Sequence, residues 1–206
     1  MMIVFVGGAL FTGDCMMSMA CMNGRIGFGS LLRTLLIVYL GNFAGAVLIA
    51  FLVAHSGQYD YSAGALGAYT IKTAVGKTGL SFMRALFSGI LCNILVCAAV
   101  LMAAAAKDIG GKVLAIFFPI LAFVVSGFEH CVANMYYIPA GIFAAGNPAY
   151  VQKAQELYGL GAEKLTGLNW GSFVTVNLLP VTIGNIIGGA VMVGGVCFYL
   201  HGKAEG

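Results

Sequence analysis

Two ionisable side chains, Glu129 and His130, sit in the middle of an apolar stretch that runs from Lys112 to Asn147. An ionisable group at bilayer depth is costly and by default marks an ion pathway or a proton relay. An unperturbed imidazole titrates at about 6.5, so modest changes in surroundings decide its charge at physiological pH. His130 therefore reads as a pore-lining group rather than a neutral ring bonded to a loop carbonyl. Glu129, its chain neighbour, must face elsewhere, and its expected job is to accept hydrogen bonds from backbone N–H groups freed by an interrupted helix. Asn93, in an otherwise uncharged apolar span, needs a hydrogen-bond partner. Thr12 reads as the same kind of interhelical glue, Lys77 as a solvated loop lysine, and Phe11 and Phe123 as core aromatics.

Metal or redox chemistry has little to work with. The six cysteines (Cys15, Cys21, Cys92, Cys97, Cys131, Cys197) all fall in apolar stretches, with no CxxC pair and no zinc-finger spacing to histidine. They read as small buried hydrophobes. The other two histidines, His55 and His201, fall at the expected ends of helices, so no second catalytic group or ligand set accompanies His130. No cofactor or metal is expected, and a membrane enzyme is disfavoured.

Composition sets the class. The chain has 206 residues, of which 61% are apolar and 8% charged, with a mean hydropathy of +0.98. Soluble domains carry roughly a quarter charged residues. The 30 glycines suit helices that pack closely in lipid. A net charge of +3 is too small and scattered for a nucleic-acid partner. Met1–Phe5 lacks the basic start of a signal peptide, and the chain opens inside an apolar segment.

The elements that must hold these residues follow from length. Crossing a hydrocarbon core of about 30 Å takes about 20 apolar residues. Leu31–Ala54, Ala85–Ala106 and Asn169–Leu200 qualify, the last bent at Pro180. The stretch between Lys112 and Asn147 would make a straight helix of about 51 Å, too long for one crossing and too short for two. One crossing made of two half-helices, Val113–Ser126 and Cys131–Ala145, joined by a buried loop, resolves this. Non-helical backbone is tolerated at that depth only where protein or a watery cavity satisfies it. The start of the chain repeats the theme: Met1–Gly7 ends one half-helix, Gly8–Asp14 forms a loop, and Cys15–Met22 is a second short half-helix.

An internal echo joins the two halves. Gly41-Asn42-Phe43-Ala44-Gly45 resembles Gly184-Asn185-Ile186-Ile187-Gly188, each in a long apolar helix that follows an interrupted one. The Gly41/Gly45 and Gly184/Gly188 spacings read as packing surfaces. Charge barely orients the chain. Arg25, Arg33, Lys107, Lys112 and Lys203 on one side balance Lys72, Lys77, Arg84, Lys153 and Lys164 on the other. Loop length and Asp60, Glu156 and Glu163 tilt the first set toward the cytoplasm.

Leu10–Asp14 (LFTGD), Ser126–Met135 (SGFEHCVANM) and Asn177–Ala190 (NLLPVTIGNIIGGA) together resemble the signature segments of the formate/nitrite transporter family, which includes formate, nitrite and hydrosulfide channels. The resemblance is collinear over nearly the whole chain. It implies an all-α, aquaporin-like bundle with two inverted repeats and two interrupted helices, one pore per protomer, in a homopentamer. It places the chain in the plasma (inner) membrane of a prokaryote, embedded in membrane lipid. It further implies that Leu10, Phe11 and Thr12 belong to the first loop, with Leu10 at one hydrophobic constriction and Phe123 at the other. His130 and Thr12 would meet near the pore centre, Asn93 would line it, and Lys77 would sit in the outer vestibule. Against the family pattern, the first helix and most of the first half of the second are missing, which reads as truncation. Asp14 stands where a neutral residue is common.

The expected activity is passage of a small monovalent anion of a weak acid (formate, hydrosulfide or nitrite), aided or protonated by His130, with flux rising as external pH falls. The resemblance favours hydrosulfide and formate over nitrite. The rivals are a channel for neutral solutes such as water or glycerol, and a structural or sensory oligomer.

Overall fold

The computed structural model describes residues 2–201; Met1 and Lys203, used in the readings above, lie outside the described residues. The helices are α1 Met2–Val6, α2 Phe11–Asp14, α3 Met17–Met22, α4 Phe28–His55, α5 Ala65–Thr78, α6 Phe82–Ala105, α7 Ile109–Val125, α8 Cys131–Ala145, α9 Pro148–Tyr158 and α10 Ala162–Thr166, with α11 at Trp170–His201. No strand occurs among the described residues.

Three of these, α4, α6 and α11, are long and apolar enough to cross a membrane, and each covers an expected span to within one residue, Ala106 and Asn169 falling just outside α6 and α11. In α4 only 6% of the most apolar window is buried, and Leu32, Leu36, Leu40, Leu48 and Leu52 are exposed. Such a surface is stable only against lipid or other helices. The interruption between α7 and α8 falls as expected, and α8 begins at Cys131. Helix α7 starts four residues earlier than expected because the Asp108 carboxylate caps it, accepting from the Gly111 N–H at 2.8 Å.

Helix α11 is not uniformly α-helical. Phe173–Leu178 and Ile187–Val193 are wound as π-helix. The first lies just ahead of Pro180, whose ring lacks an N–H and clashes with the carbonyl four residues back, so the ladder there relaxes to a wider turn.

The chain forms two compact units. The first comprises Met1–Asn42, Leu86–Cys131 and Val181–Gly206. Its close packing depends on absent side chains: a Cβ on Gly184 or Gly188 would strike the backbone carbonyls of Leu86 or Ile90, and one on Gly194 would strike the Ser18 hydroxyl. By contrast, a Cβ on Gly41 or Gly45 would meet nothing within 4 Å. The packing role expected for both glycine pairs is thus seen in this chain at Gly184 and Gly188 alone.

The second unit comprises Phe43–Ala85 and Val132–Pro180. Helices α5 and α9 pack together in it, Tyr150 filling the hollow left by Gly67. The Tyr150 hydroxyl donates to Asp60 Oδ1 at 2.5 Å, and that bond holds the Tyr150 phenol above the usual tyrosine range. Burial pushes Tyr59 up as well. Lys77, expected in a loop, lies in the last turn of α5. The Gly-rich sequence ALGAYTIKTAVGKT is too short and too polar for a span, yet its buried stripe at Ala68, Ile71, Ala74, Val75 and Thr78 has the spacing of one helical face.

Candidate functional site

Both interruptions lie in the first unit. After α7 the chain turns at Gly127, whose φ of +67° favours glycine. The Phe128 N–H reaches back to the Phe123 carbonyl (3.0 Å) and the Gly127 N–H to the Val124 carbonyl (3.1 Å), a Schellman closure of the helix end. The next polar groups must find partners on other helices. The Glu129 N–H donates to Ser88 Oγ at 3.0 Å. Asn185 does the rest: its Oδ1 accepts from the Cys131 N–H at 2.9 Å, and its Nδ2 donates to the carbonyls of Glu129 (3.1 Å) and Gly89 (2.7 Å). The cap at the Cys131 N–H is Asn185; Glu129, expected to accept from freed N–H groups, is 5% exposed.

The first interruption uses the same solution. Gly7 has a φ of +78°. Asn42 Oδ1 accepts from the Phe11 N–H at 3.0 Å, and its Nδ2 donates to the Ala9 carbonyl at 3.1 Å. In each break the left-handed glycine stands four residues before the capped N–H, and the bonded carbonyl two before it. This shortens the expected first loop. Gly8–Asp14 was expected to be non-helical, but with the Phe11 N–H satisfied, Phe11–Asp14 closes a helical turn as α2 and only Gly7–Leu10 remains open. Phe11 and Thr12 are thus helical, while Leu10 stays in the loop with extended backbone (φ −130°, ψ 118°).

The two breaks bring Thr12 and His130 together. Thr12 Oγ1 lies 2.9 Å from His130 Nε2, and both side chains are buried. The Phe123 ring stacks on the imidazole, with centroids 5.8 Å apart and planes 21° from parallel. Phe11 packs edge-on against Tyr39 at 4.8 Å, and the Tyr39 hydroxyl meets Thr182 Oγ1 at 3.0 Å. Asn93 is fully buried, as Thr12 is: its Nδ2 donates to the Asn185 carbonyl at 2.6 Å, and its Oδ1 accepts from Cys97 Sγ at 3.7 Å. It ties α6 to α11.

In the second unit, Lys77 Nζ lies 5.5 Å above the Tyr137 ring, a cation–π approach. Its carbonyl accepts from Asn177 Nδ2 at 3.0 Å, and Asn177 Oδ1 accepts from Asn134 Nδ2 at 2.7 Å.

A family model described as formate/nitrite transporter matches residues 1–199. The chain belongs to the formate/nitrite transporter family. Within this family it is 40% identical to the formate channel FocA of Haemophilus influenzae, over 94% of this chain and 67% of that protein. It is 39% identical to FocA of Escherichia coli K12, over 93% of this chain and 66% of that one. The chain therefore spans about two thirds of the length of these curated relatives. Among solved structures, a pentameric formate channel with formate bound superposes with a TM-score of 0.85 at 34% identity, covering 96% of this chain and 76% of that one. These relatives are channels rather than enzymes, and the chain is accordingly a multi-pass membrane protein of the formate/nitrite transporter family.

Residue types alone did not single out Asn42, Asn185 and Ser88. The signal was present for the first two, since each asparagine stands at the same place in the repeated G-N-x-x-G, but the glycines drew the reading toward packing.

Proposed function

We propose that this chain is one protomer of a homopentameric channel that passes small monovalent anions of weak acids, formate foremost, across a prokaryotic plasma membrane. The observation that carries the reading is the buried Thr12–His130 contact at 2.9 Å, made between two helix breaks that the same asparagine device holds. The names of the relatives, formate channels with about 40% identity, support formate over hydrosulfide or nitrite.

The chemistry follows from cost. Carrying a bare anion through a buried apolar passage costs far more than a few polar contacts return. Sharing a proton removes most of that cost. His130 is the group that can hold or lend a proton, and Thr12 can donate to or accept from Nε2 according to the state of the ring. Leu10 and Phe123, on either side of this pair in the proposed pathway, admit the neutralised acid more readily than the ion. Lys77, on the second unit, draws anions toward the entrance. Asn42 and Asn185 keep the backbone of the breaks in place, with Glu129 supporting the second break, and Asn93 holds α6 against α11.

Reconstituted in liposomes, the protein should take up formate faster at external pH of about 5.5 than at about 7.5. His130→Phe should abolish that difference and lower the flux. Formate flux indifferent to both pH and His130→Phe would refute the role given to the imidazole. A flux of glycerol equal to that of formate would favour a neutral-solute channel instead.

A further inference from the structure

The second unit carries a basic feature of its own. A partly open cleft of about 530 Å³ is lined by Lys72, Val75, Gly76 and Thr78 of α5, by Leu160, and by Lys164 of α10, together with two further glycines. That volume falls in the range of small-molecule sites. Two lysines are among its lining residues, and no aspartate or glutamate is. Glu163 adjoins Lys164 in sequence but does not line the cleft.

One of the ammonium groups is already positioned. Lys72 Nζ lies 4.9 Å from the Tyr158 ring centroid and 5.6 Å from that of Tyr69. Two aromatic faces hold a flexible lysine without neutralising it, so less ordering is left to do when an anion arrives. The Thr78 hydroxyl turns back to the Ala74 and Val75 carbonyls of its own helix (3.2 and 3.3 Å). Charge recognition in the cleft therefore falls to Lys72 and Lys164, while Val75 and Leu160 supply apolar wall.

We propose that this cleft is a second anion site, distinct from the pathway at His130, and that it takes a small dianion on a short carbon body, such as a C3–C4 dicarboxylate or a phosphate monoester. A one-carbon monoanion pairs with one ammonium and leaves most of the volume to water. A short dianion meets both lysines and covers Val75 and Leu160. The binding claim is independent of conduction.

The test is titration calorimetry on the purified full chain in neutral detergent at low salt, with malonate, inorganic phosphate and formate as probes. Malonate and phosphate should bind saturably and about tenfold more tightly than formate, and added salt should weaken them. Lys72→Gln with Lys164→Gln should weaken malonate by about tenfold, while Lys153→Gln with Lys112→Gln, both outside the cleft, leaves it unchanged and controls for the loss of two charges. Equal binding of formate and malonate, or unchanged malonate binding by the double variant, overturns the proposal. Repeating the titration in nanodiscs separates the ligand's source. Malonate binding kept in anionic lipid supports a soluble ligand, and binding lost there but kept in neutral lipid assigns the cleft to a lipid headgroup and overturns the soluble assignment. A chain that binds malonate yet passes no formate overturns the channel reading and leaves this one standing.

Discussion

Asn42 and Asn185 make matching pairs of hydrogen bonds at the two helix breaks. Each side-chain oxygen accepts the first N–H of the helix that resumes (Phe11 or Cys131), and each amide nitrogen donates to the carbonyl two residues earlier (Ala9 or Glu129). The two asparagines differ in burial: Asn185 is fully buried and holds a third bond to Gly89, whereas Asn42 is half-buried. What a break needs is an acceptor and a donor on separate atoms at fixed separation, and the asparagine amide offers both on a short stem.

Removing the amide should therefore hurt unequally. Asn185→Ala strands the buried Cys131 N–H and Glu129 carbonyl, removes the added bond at Gly89, and should cost about 3 kcal/mol, whereas Asn42→Ala should cost about 1 kcal/mol. Thermal unfolding of the detergent-solubilised protein would order them; an Asn42→Ala midpoint at or below that of Asn185→Ala would contradict the assignment.

The Thr12 hydroxyl and its methyl group can be separated. Thr12→Val keeps the shape and removes the bond to His130, worth about 1 kcal/mol, so formate flux should fall about fivefold. Thr12→Ser keeps the hydroxyl and should stay within about twofold of the parent. Equal losses in the two variants would mean that packing, rather than the hydrogen bond, matters at this position.

Glycines at matching places in the echo should respond oppositely. A methyl at Gly184 or Gly188 meets backbone carbonyls that cannot swing aside, and overpacking of this kind typically costs 1–3 kcal/mol, so about 2 kcal/mol is expected. Gly45→Ala meets nothing within 4 Å and should stabilise the helix, by up to about 1 kcal/mol. Melting curves of the three alanine variants in one detergent would decide, and a destabilised Gly45→Ala would sink the contrast.

The Tyr150–Asp60 bond carries a pH dependence. Tyr150 is raised by that bond in the folded chain, so its contribution is fully present below the ordinary tyrosine value of about 10 and is lost as pH climbs through the raised folded value. Hydrogen exchange over Gln58–Thr78 should accelerate beyond its intrinsic rate in that alkaline window. Tyr150→Phe should show the faster exchange already at neutral pH and lack the added acceleration. Tyr59, raised by burial, also titrates above the ordinary value in both proteins. Identical alkaline profiles for parent and variant would rule the bond out as the cause.

Much of the fold was legible because span length and polarity leave few options. The stretch around Glu129 and His130 could not be one straight crossing or two, and α8 begins at the residue so inferred. The first break was harder. Gly13 and Asp14 read as loop because their types disfavour helix, and nothing local says that Asn42, far along the chain, satisfies the Phe11 N–H and lets a turn form. Lys77 was misplaced for a related reason: α5 is too short and polar to register as a span, and its helical stripe is written mostly in alanine, valine and threonine. The meeting of Thr12 with His130 came from family resemblance, since spacing alone does not bring together residues 118 apart in sequence. Neither the asparagine clamps nor the engagement of Asn93 by the Asn185 carbonyl could be read from composition, because each depends on which helix lies next to which.

The asparagine that secures each opening is translated well after the opening itself: Asn42 follows Phe11 by 31 residues, and Asn185 follows Cys131 by 54. During synthesis neither gap can hold its shape until a later helix has emerged and entered the bilayer. A ribosome stalled before α11 would leave the histidine-bearing segment with unmet carbonyls and amides in lipid. The nascent chain thus gains a competent interior only once α11 has entered, and a product that stops before it exposes a polar flaw by which membrane quality control could find it.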